Sequence, residues 1–261
     1  MIYVYTSIVN GWDNLRSPAV TQEDGVRFIC FTNLPHLPRV HPWEYRPLYI
    51  IQGQAIPGQA SRTSRVPKIL PHLMLPYDAE YSIYHDGNFQ LKVSPVTMIE
   101  TLLKDHDWAA HHHPCRDCVY EEGAILIREK IGTTELVEEE MARYRVRGFP
   151  VHGGLWANGM IVRRHTPGVA TLNELWWDLY STGCERDQTS FPVARFHEEF
   201  PVYTINEDIY RSPYLLQRWH AAWKERDDNP DYWEERDRIR GRLNKLTRIV
   251  GPSPGVRYPE Y

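Results

Sequence analysis

Apolar and polar positions alternate between dense runs and polar breaks from the first residue. Residues 2 to 9 and 26 to 32 are rich in β-branched and aromatic side chains, and each run ends at a turn former. Such runs predict two buried strands. The segment between them, 14 to 24, is predicted as a short helix or an irregular crossover. A β-x-β opening of this kind is typical of a nucleotide-binding α/β sheet.

A helical pattern follows from residue 59 to residue 73. Arg62, Arg65 and Ile69 share one face there, with Lys68 beside them. The pattern predicts a half-buried helix with a cationic edge.

A third strand is predicted from residue 80 to residue 85, and it ends at the turn Asp86-Gly87-Asn88. A glycine-rich turn that leads into a short apolar strand occupies 152 to 164. Further helices are predicted at 96–104, 120–145, 170–182 and 187–195. Beyond Pro213 the pattern favours one or two amphipathic helices, the last of them basic.

These elements predict an α/β fold with a mostly parallel, twisted sheet flanked by helices. The predicted organisation is a nucleotide-sugar-binding catalytic domain of the GT-A kind at 1–212, with a helical C-terminal extension at 213–261 packed on it. The length of 261 residues, 42% of them hydrophobic, suits one α/β core.

Charge and composition narrow the class of protein. A formal net charge of −4 excludes a wholly basic nucleic-acid coat. No run of about eighteen apolar residues occurs, and the first residues lack a basic leader, so a cytoplasmic protein without membrane insertion is expected. The four cysteines are too few and too unevenly spaced for a disulfide scaffold, and reduced thiols are expected.

The turn Asp86-Gly87-Asn88 places two oxygen-bearing side chains one residue apart at the end of a strand. Oxygen ligands suit Mn²⁺ or Mg²⁺, so Asp86 and Asn88 are candidate metal ligands. The same tripeptide is also a common turn sequence. Arg62, Arg65 and Lys68 precede this strand, where they could meet a diphosphate, although a solvated helix face is the alternative.

Six motifs occur in order: FICFTN, SRxSRxPKxxPH, YDAEYSIYHDGN, HPCRDCVYEE, GLWANGMIVRRH and RDQTSF. Over roughly residues 1 to 200, this series resembles a glycosyltransferase-like family of plant and bacterial proteins, which includes plant proteins linked to seed mucilage. The resemblance implies a transferase that uses a nucleotide-sugar donor. Ceramidase activity attributed within the plant branch keeps a metal-dependent hydrolase open as an alternative.

The chain is also distantly similar to retaining GT-A enzymes of the glycogenin and bacterial galactosyltransferase kind. Asp86 and Asn88 match their metal motif, Asn158-Gly159 matches their glycine-bearing strand, and Asp187-Gln188 matches the pair that holds the donor sugar. This similarity implies a UDP-sugar donor and a retaining hexosyl transfer. Asn88 replaces the second Asp of the motif and removes one negative charge from the metal site.

Other residues are assigned within this framework. Thr6, Gly87, His113 and Arg116 are expected at the donor, and Glu121 or its neighbour Glu122 is a candidate acceptor base, although a helix start also explains the two glutamates. Asp187 and Gln188 are expected to orient the donor and stabilise the anomeric carbon, with a helix N-cap as the alternative for Asp187. His220, with His165 as a second candidate, is the expected late metal ligand.

Two segments support other functions. The segment from His111 to Cys118 has ligand types found in zinc sites, although it lacks a second cysteine pair. A basic run at 236–248 suits a polyanionic acceptor such as modified DNA, with a glycan as the other candidate acceptor and a solvated helix as the alternative. A non-catalytic binder of nucleic acid or glycan therefore also stays open.

Overall fold

The computed structural model describes residues 1–34, 37–48 and 59–218. In chain order its elements are β1 (Ile2–Ile8), β2 (Val26–Thr32), β3 (Glu44–Pro47), α1 (Gln59–Ile69), α2 (Pro71–Met74), β4 (Tyr81–His85), β5 (Phe89–Leu91), α3 (Pro95–Leu102), β6 (Trp108–His112), α4 (Val119–Arg128), α5 (Thr134–Val146), β7 (Trp156–Arg164), α6 (Pro167–Ser181), α7 (Asp187–His197), β8 (Tyr203–Ile205), a 3-10 helix (Ile209–Arg211) and β9 (Leu215–Gln217).

Seven strands form one sheet in the order β3-β2-β1-β4-β7-β6-β8. Neighbouring strands are parallel except where β7 runs antiparallel between β4 and β6. A separate antiparallel pair joins β5 to β9. The predicted α/β class, with a mostly parallel sheet flanked by helices, is confirmed.

Both faces of the large sheet are covered, as the alternation along β1 shows. Tyr3 and Tyr5 belong to one buried cluster, which contains residues of α1 and α4 to α7. Val4 and Ile8 belong to the opposite cluster, with residues of α3. Side chains of a strand point alternately to the two faces of its sheet, so an almost continuous apolar run is needed when both faces are buried.

An aromatic group fixes α6 and α7 on the first of these faces. The Trp108 and Phe191 rings are stacked with centroids 5.0 Å apart, and the Trp176 ring lies 4.9 Å from the Phe191 ring. Such pairs contribute roughly 0.5–1.5 kcal/mol each beyond the area that they bury. They hold the start of α7 close to the sheet.

Two of the predicted helices are each divided in the structure. The helix predicted at 120–145 is two helices, because Gly132 adopts a positive φ of 78° and the Thr133 hydroxyl caps the second helix by accepting from the Leu136 N–H. The helix predicted at 59–73 ends at Ile69, and the short α2 begins at Pro71, which has no N–H to continue the ladder.

The strand β6, which lies next to the edge strand β8, was not predicted. Its sequence, WAAHH, contains two alanines and two histidines, which are not strong strand formers, and it is bounded by no clear turn pair. The segment 14–24 contains no helix or strand, in agreement with an irregular crossover.

The helices predicted after Pro213 are not seen at their start, where β9 pairs with β5 instead. Residues 219–261, which include His220 and the basic run, lie outside the described residues, and the proposed division at 212 stays a prediction. No helix within the described ranges is long and apolar enough to cross a membrane.

Candidate active site

The Asp86 turn and the Asn158-Gly159 strand are in direct contact at one edge of the sheet. The Asp86 N–H donates to the Gly159 carbonyl at 2.9 Å. A Cβ on Gly159 would lie 2.9 Å from Ile209 Cδ1 and 3.3 Å from Asp86 Oδ2, so only glycine fits here without displacing a neighbour. Two of the sequence-predicted motifs therefore meet.

The third motif lies against the second. Asp187 is the first residue of α7, and its side chain is 4% exposed. Its carbonyl accepts from Asn158 Nδ2 at 3.3 Å and from Trp176 Nε1 at 3.1 Å. The N-cap of α7 is Arg186, so the Asp187 side chain does not cap the helix.

Two cations of α1 join these carboxylates. Lys68 Nζ lies 2.7 Å from Asp187 Oδ2 and 3.4 Å from Asp86 Oδ1. Arg65 Nε donates to Asp187 Oδ1 at 3.3 Å. Because Arg65 and Lys68 are three residues apart on a helix, they lie on the same face. We call Arg65, Lys68, Tyr84, Asp86 and Asp187 the two-aspartate cluster.

The cations keep both aspartates ionised. Burial by itself would raise the pKa of Asp187, but Lys68 and Arg65 outweigh it and hold that pKa below its usual range. The pKa of Asp86 is lowered for the same reasons, with burial again opposing the two cations. Lys68 Nζ lies between the two carboxylates, which are thereby joined through one buried cation.

Tyr84 completes the cluster, and sequence reasoning missed it. Its hydroxyl donates to Asp86 Oδ1 at 2.7 Å. Burial, followed by the Asp86 charge, raises the pKa of Tyr84 well above its ordinary value, so the hydroxyl keeps its proton. Its position two residues before Asp86, on the same side of β4, was the available signal.

Other predicted donor residues have defined surroundings. The Arg62 guanidinium donates to the carbonyls of Tyr180, Ser181 and Gly183 at 2.8–2.9 Å, so it caps the end of α6. Thr6 is fully buried in β1, and its Oγ1 makes no hydrogen bond to any described residue.

Gly87 and Gln188 flank the cluster. A Cβ on Gly87 would lie 2.8 Å from the Asp13 Cβ, so the turn packs tightly against the segment after β1. Gln188 is half-buried and follows Asp187 in α7.

The segment from His113 to Glu122, which we call the 113–122 loop and whose last four residues are the first turn of α4, contains a second buried ion pair. Arg116 Nε and Nη2 lie 2.7 and 2.6 Å from Glu122 Oε2, and the two side chains are 9% and 2% exposed. His113 Nδ1 accepts from the N–H groups of Cys115 and Arg116 at 3.3 and 3.1 Å. Burial, followed by the Arg116 and Arg186 charges, holds the pKa of His113 well below its ordinary value, so the ring is neutral.

Arg186 links the two regions electrostatically. Its charge lowers the pKa of His113 in the loop and the pKa of Asp187 in the cluster. Burial raises the pKa of Tyr210. The Arg186 charge lowers it, and Asp208, Cys115 and Asp86 raise it further. Tyr210 lies in the 3-10 helix Ile209–Arg211, which packs against β7 at Gly159, and no pattern in the sequence pointed to it.

Glu121 lies apart from the Arg116 pair. Its carboxylate forms a group with Asp117 and His152, whose ligand atoms are all within 4.8 Å of one another. In the ranges that the structure describes, this is the only group of three side chains arranged to hold a metal, and neither Cys115 nor Cys118 belongs to it. The alternative of a zinc site built on those cysteines gains no support from these residues.

The fit of a divalent cation at the Asp86 turn depends on two side chains. The Asp86 side chain is one-third exposed, and its Oδ2 accepts no hydrogen bond from the described part of the chain. Asn88, two residues on, is 8% exposed. An ionised carboxylate oxygen and an amide oxygen fit a hard cation that takes its remaining ligands from phosphate and water. His165 is half-buried just after β7, where its N–H donates to the Glu80 carbonyl, and burial lowers the pKa of its ring to about 4.

Known proteins similar to this chain include curated sequences and solved structures. A probable hexosyltransferase, MUCI70 of Arabidopsis thaliana, is 29% identical over 178 residues, which are 63% of this chain and 30% of that protein. The chain thus spans less than a third of that relative's length. Mouse xyloside xylosyltransferase 1 in its apo form has a TM-score of 0.43 at 10% identity, covering 78% of this chain and 84% of that one.

The apo structure of the bifunctional glycosyltransferase WbbM has a TM-score of 0.47 at 10% identity, and the similar region covers 78% of this chain and 38% of that one. A family model described as "TOD1/MUCI70, glycosyltransferase-like domain" matches residues 50–207, which include the two-aspartate cluster and the 113–122 loop. The chain belongs to the TOD1/MUCI70 family of glycosyltransferase-like domains.

Proposed function

We propose that this chain is a hexosyltransferase that moves a sugar from a nucleotide-sugar, with a UDP-sugar favoured, to a glycan or a modified DNA. The observation that supports this most strongly is Lys68, which lies between Asp86 and Asp187. Those two aspartates come from distant motifs, yet both are ionised at the carboxyl edge of β4. A donor needs its diphosphate held and its sugar oriented, and this cluster offers groups for both tasks.

The departing diphosphate carries negative charge, and cations near it lower the barrier. Within the described residues, the buried Lys68 and the half-buried Arg65 are the cations that pair with the two carboxylates. Asp86 and Asn88 would hold Mn²⁺ or Mg²⁺, with His220 as the predicted third ligand, and the ion would neutralise the diphosphate. Tyr84 fixes the Asp86 carboxylate by its hydrogen bond to Oδ1, which leaves Oδ2 as the oxygen that would bind the ion.

Asp187 and Gln188 are assigned to the sugar. In the transfer, the bond from the anomeric carbon to the diphosphate oxygen breaks, and its electron pair leaves with the diphosphate. The acceptor oxygen forms the new bond to that carbon and loses its proton to a base, for which Glu121 is the proposed residue. The ionised Asp187 carboxylate accepts hydrogen bonds from sugar hydroxyls and stabilises positive charge at the anomeric carbon, as a retaining transfer requires.

The first test is a thermal-shift screen of UDP-, GDP-, ADP- and TDP-sugars with Mn²⁺. A ligand that binds only the folded state raises the melting temperature, so one donor should stabilise the wild type. Asp86→Ala should abolish that increase. Asp105→Ala, which removes an exposed aspartate after α3, is the matched control and should keep the full increase.

A second assay separates binding from chemistry. Release of nucleoside diphosphate from the stabilising donor, with and without oligosaccharide or hydroxymethylated DNA, should require Asp187. A chain that binds a donor without ever releasing the diphosphate would instead be a binding module. No increase with any donor, together with amide hydrolysis of a ceramide, would favour the hydrolase.

A further inference from the structure

We propose that Glu140 is a positioning residue that holds the segment from Cys184 to Thr189, and with it Asp187, in place. The effect on turnover rests on the proposed function, whereas the effect on the segment does not. Glu140 lies in α5, outside every motif that the sequence pointed to, and its side chain is 1% exposed.

Three donors surround the Glu140 carboxylate. Its Oε1 accepts from Thr189 Oγ1 at 2.7 Å and from the Tyr144 hydroxyl at 2.6 Å. Its Oε2 accepts from the Cys184 N–H. A Cβ on Gly183 would lie 2.5 Å from Oε2, so the chain before Cys184 is pressed against the carboxylate.

No lysine, arginine or histidine within the described residues forms an ion pair with Glu140. A buried carboxylate must be compensated, and here only neutral donors do so. Hydrogen bonds to an ionised group are shorter and stronger than neutral ones. If the segment moved away, a buried charge would lose its partners, so these bonds resist movement.

The bonds enclose Asp187 from both sides along the chain. Cys184 lies three residues before it and Thr189 two residues after it. Thr189 Oγ1 also lies 2.8 Å from the Arg186 carbonyl. Arg143, on the same helix as Glu140, donates to the Thr182 carbonyl at 3.0 Å. Helix α5 thereby anchors the connection that leads from α6 to Asp187, the first residue of α7.

Cys184 provides a probe of this segment that needs no activity. Its thiol is 2% exposed, and burial, followed by the Glu140 charge, raises its pKa to about 12. The thiol therefore reacts with a maleimide only when the segment opens. Peptide mass spectrometry distinguishes Cys184 from Cys30, Cys115 and Cys118.

The deciding comparison is Thr189→Val against Tyr144→Phe. Each variant removes one hydroxyl from the same carboxylate oxygen, but Tyr144 lies on the same helix as Glu140 and makes no bond to the segment. Thr189→Val should raise the rate of Cys184 labelling at least tenfold. It should also lower kcat about tenfold or more while KM stays within about twofold, since a small misplacement of a reacting group is costly. Tyr144→Phe should lower the melting temperature but leave both the Cys184 labelling rate and kcat unchanged.

The Cys184 labelling rate and kcat of Glu140→Gln should lie between those of the wild type and those of Glu140→Ala. The amide oxygen can still accept from the Cys184 N–H, and the amide NH₂ can donate to the two hydroxyls. If Glu140→Ala does not fold, the two hydroxyl variants still decide the matter. If Cys184 of Thr189→Val is labelled at the wild-type rate, Glu140 does not anchor the segment. If labelling is faster but kcat is unchanged, Glu140 anchors the segment without positioning Asp187 for turnover. If the wild type turns over no donor, the proposed function fails, and the labelling rates still test whether Glu140 holds the segment.

Discussion

Two buried ion pairs lie in the candidate site, and they differ in what they leave available. Lys68–Asp187 and Arg116–Glu122 are both at most 9% exposed at either side chain. In the loop, one arginine pairs with one carboxylate. In the cluster, one lysine lies between two carboxylates, and the second, Asp86, is one-third exposed.

This difference indicates that the two-aspartate cluster is suited to binding a ligand and that the Arg116–Glu122 pair is suited to a structural role. Breaking the Arg116–Glu122 pair would strand two buried charges, so the pair is suited to shaping the loop. Asp86 can gain a partner from solvent without losing Tyr84, and Lys68 can shift toward a phosphate while Asp187 keeps Arg65. The cluster is therefore suited to exchange partners with a charged ligand, whereas the loop pair is not.

The largest effect is expected from Asp187→Asn. The substitution removes a carboxylate that pairs with the buried Lys68 and the half-buried Arg65, so the free energy of unfolding should fall by about 3 kcal/mol. Loss of the group assigned to the sugar should lower kcat by about 10³-fold. Urea denaturation and a diphosphate-release assay measure the two quantities.

Glu122→Gln is the matched comparison, because it likewise strands a nearly buried arginine. It should cost similar stability but reduce kcat about tenfold at most. If Glu122→Gln lost as much turnover as Asp187→Asn, the distinction between the two pairs would be wrong.

The next largest effect is expected at Glu121, which does not pair with Arg116. If Glu121 is the acceptor base, Glu121→Gln should lower kcat by about 10²-fold while the thermal shift with donor is kept. Glu135→Gln, which changes an exposed first-turn glutamate of α5, is the control and should leave both unchanged. A loss of the donor shift in Glu121→Gln would place Glu121 at the donor instead of the acceptor.

The strand that leads to Asp86 and the strand that carries Asn158-Gly159 were predicted from the sequence. Asp86 follows β4 and Asn158-Gly159 lies in β7, and strand register then brings them together. Asp187 was found through its resemblance to a donor-site pair, and the structure places it beside them. Their roles in catalysis stay predictions.

Loop contacts and long-range pairs were not predictable in this way. The sequence gives no reason why Arg62 caps α6 while Arg65, three residues on, meets Asp187, since both lie on the same helical face. The role of Glu140 could not be predicted from the sequence either. Glu140 stands in a helix whose charges alternate as on a solvated face, and only tertiary packing buries it.

A smaller effect tests whether Lys68 governs the charge of the cluster. Asp86 and Asp187 have lowered pKa values in the folded state, so their stabilisation is fully present above about pH 4 and is lost as the unfolded chain takes up protons at lower pH. Lys68→Met removes the leading favourable cause, so the loss of unfolding free energy between about pH 5 and about pH 3 should become shallower.

Arg62→Met is the control for this experiment. Arg62 lies on the same helix but donates only to carbonyls, so its removal should lower stability by a similar amount at every pH in that range. An unchanged acid dependence in Lys68→Met would show that Arg65 alone keeps the two aspartates ionised.

The smallest effect is on the pH dependence of stability, and it compares His113 in the 113–122 loop with His72 outside it. Burial, followed by the charges of Arg116 and Arg186, lowers the pKa of His113, so the unfolded chain binds a proton first as pH falls below about 6.5 and stability declines. His113→Asn keeps an acceptor for the loop N–H groups and should reduce that slope by at most about 1.4 kcal/mol per pH unit. His72→Asn should act in the same direction, since burial also lowers the pKa of His72. If only His113→Asn also weakened donor binding, the loop would contact the donor; equal donor affinity in both variants would limit the loop to a structural role.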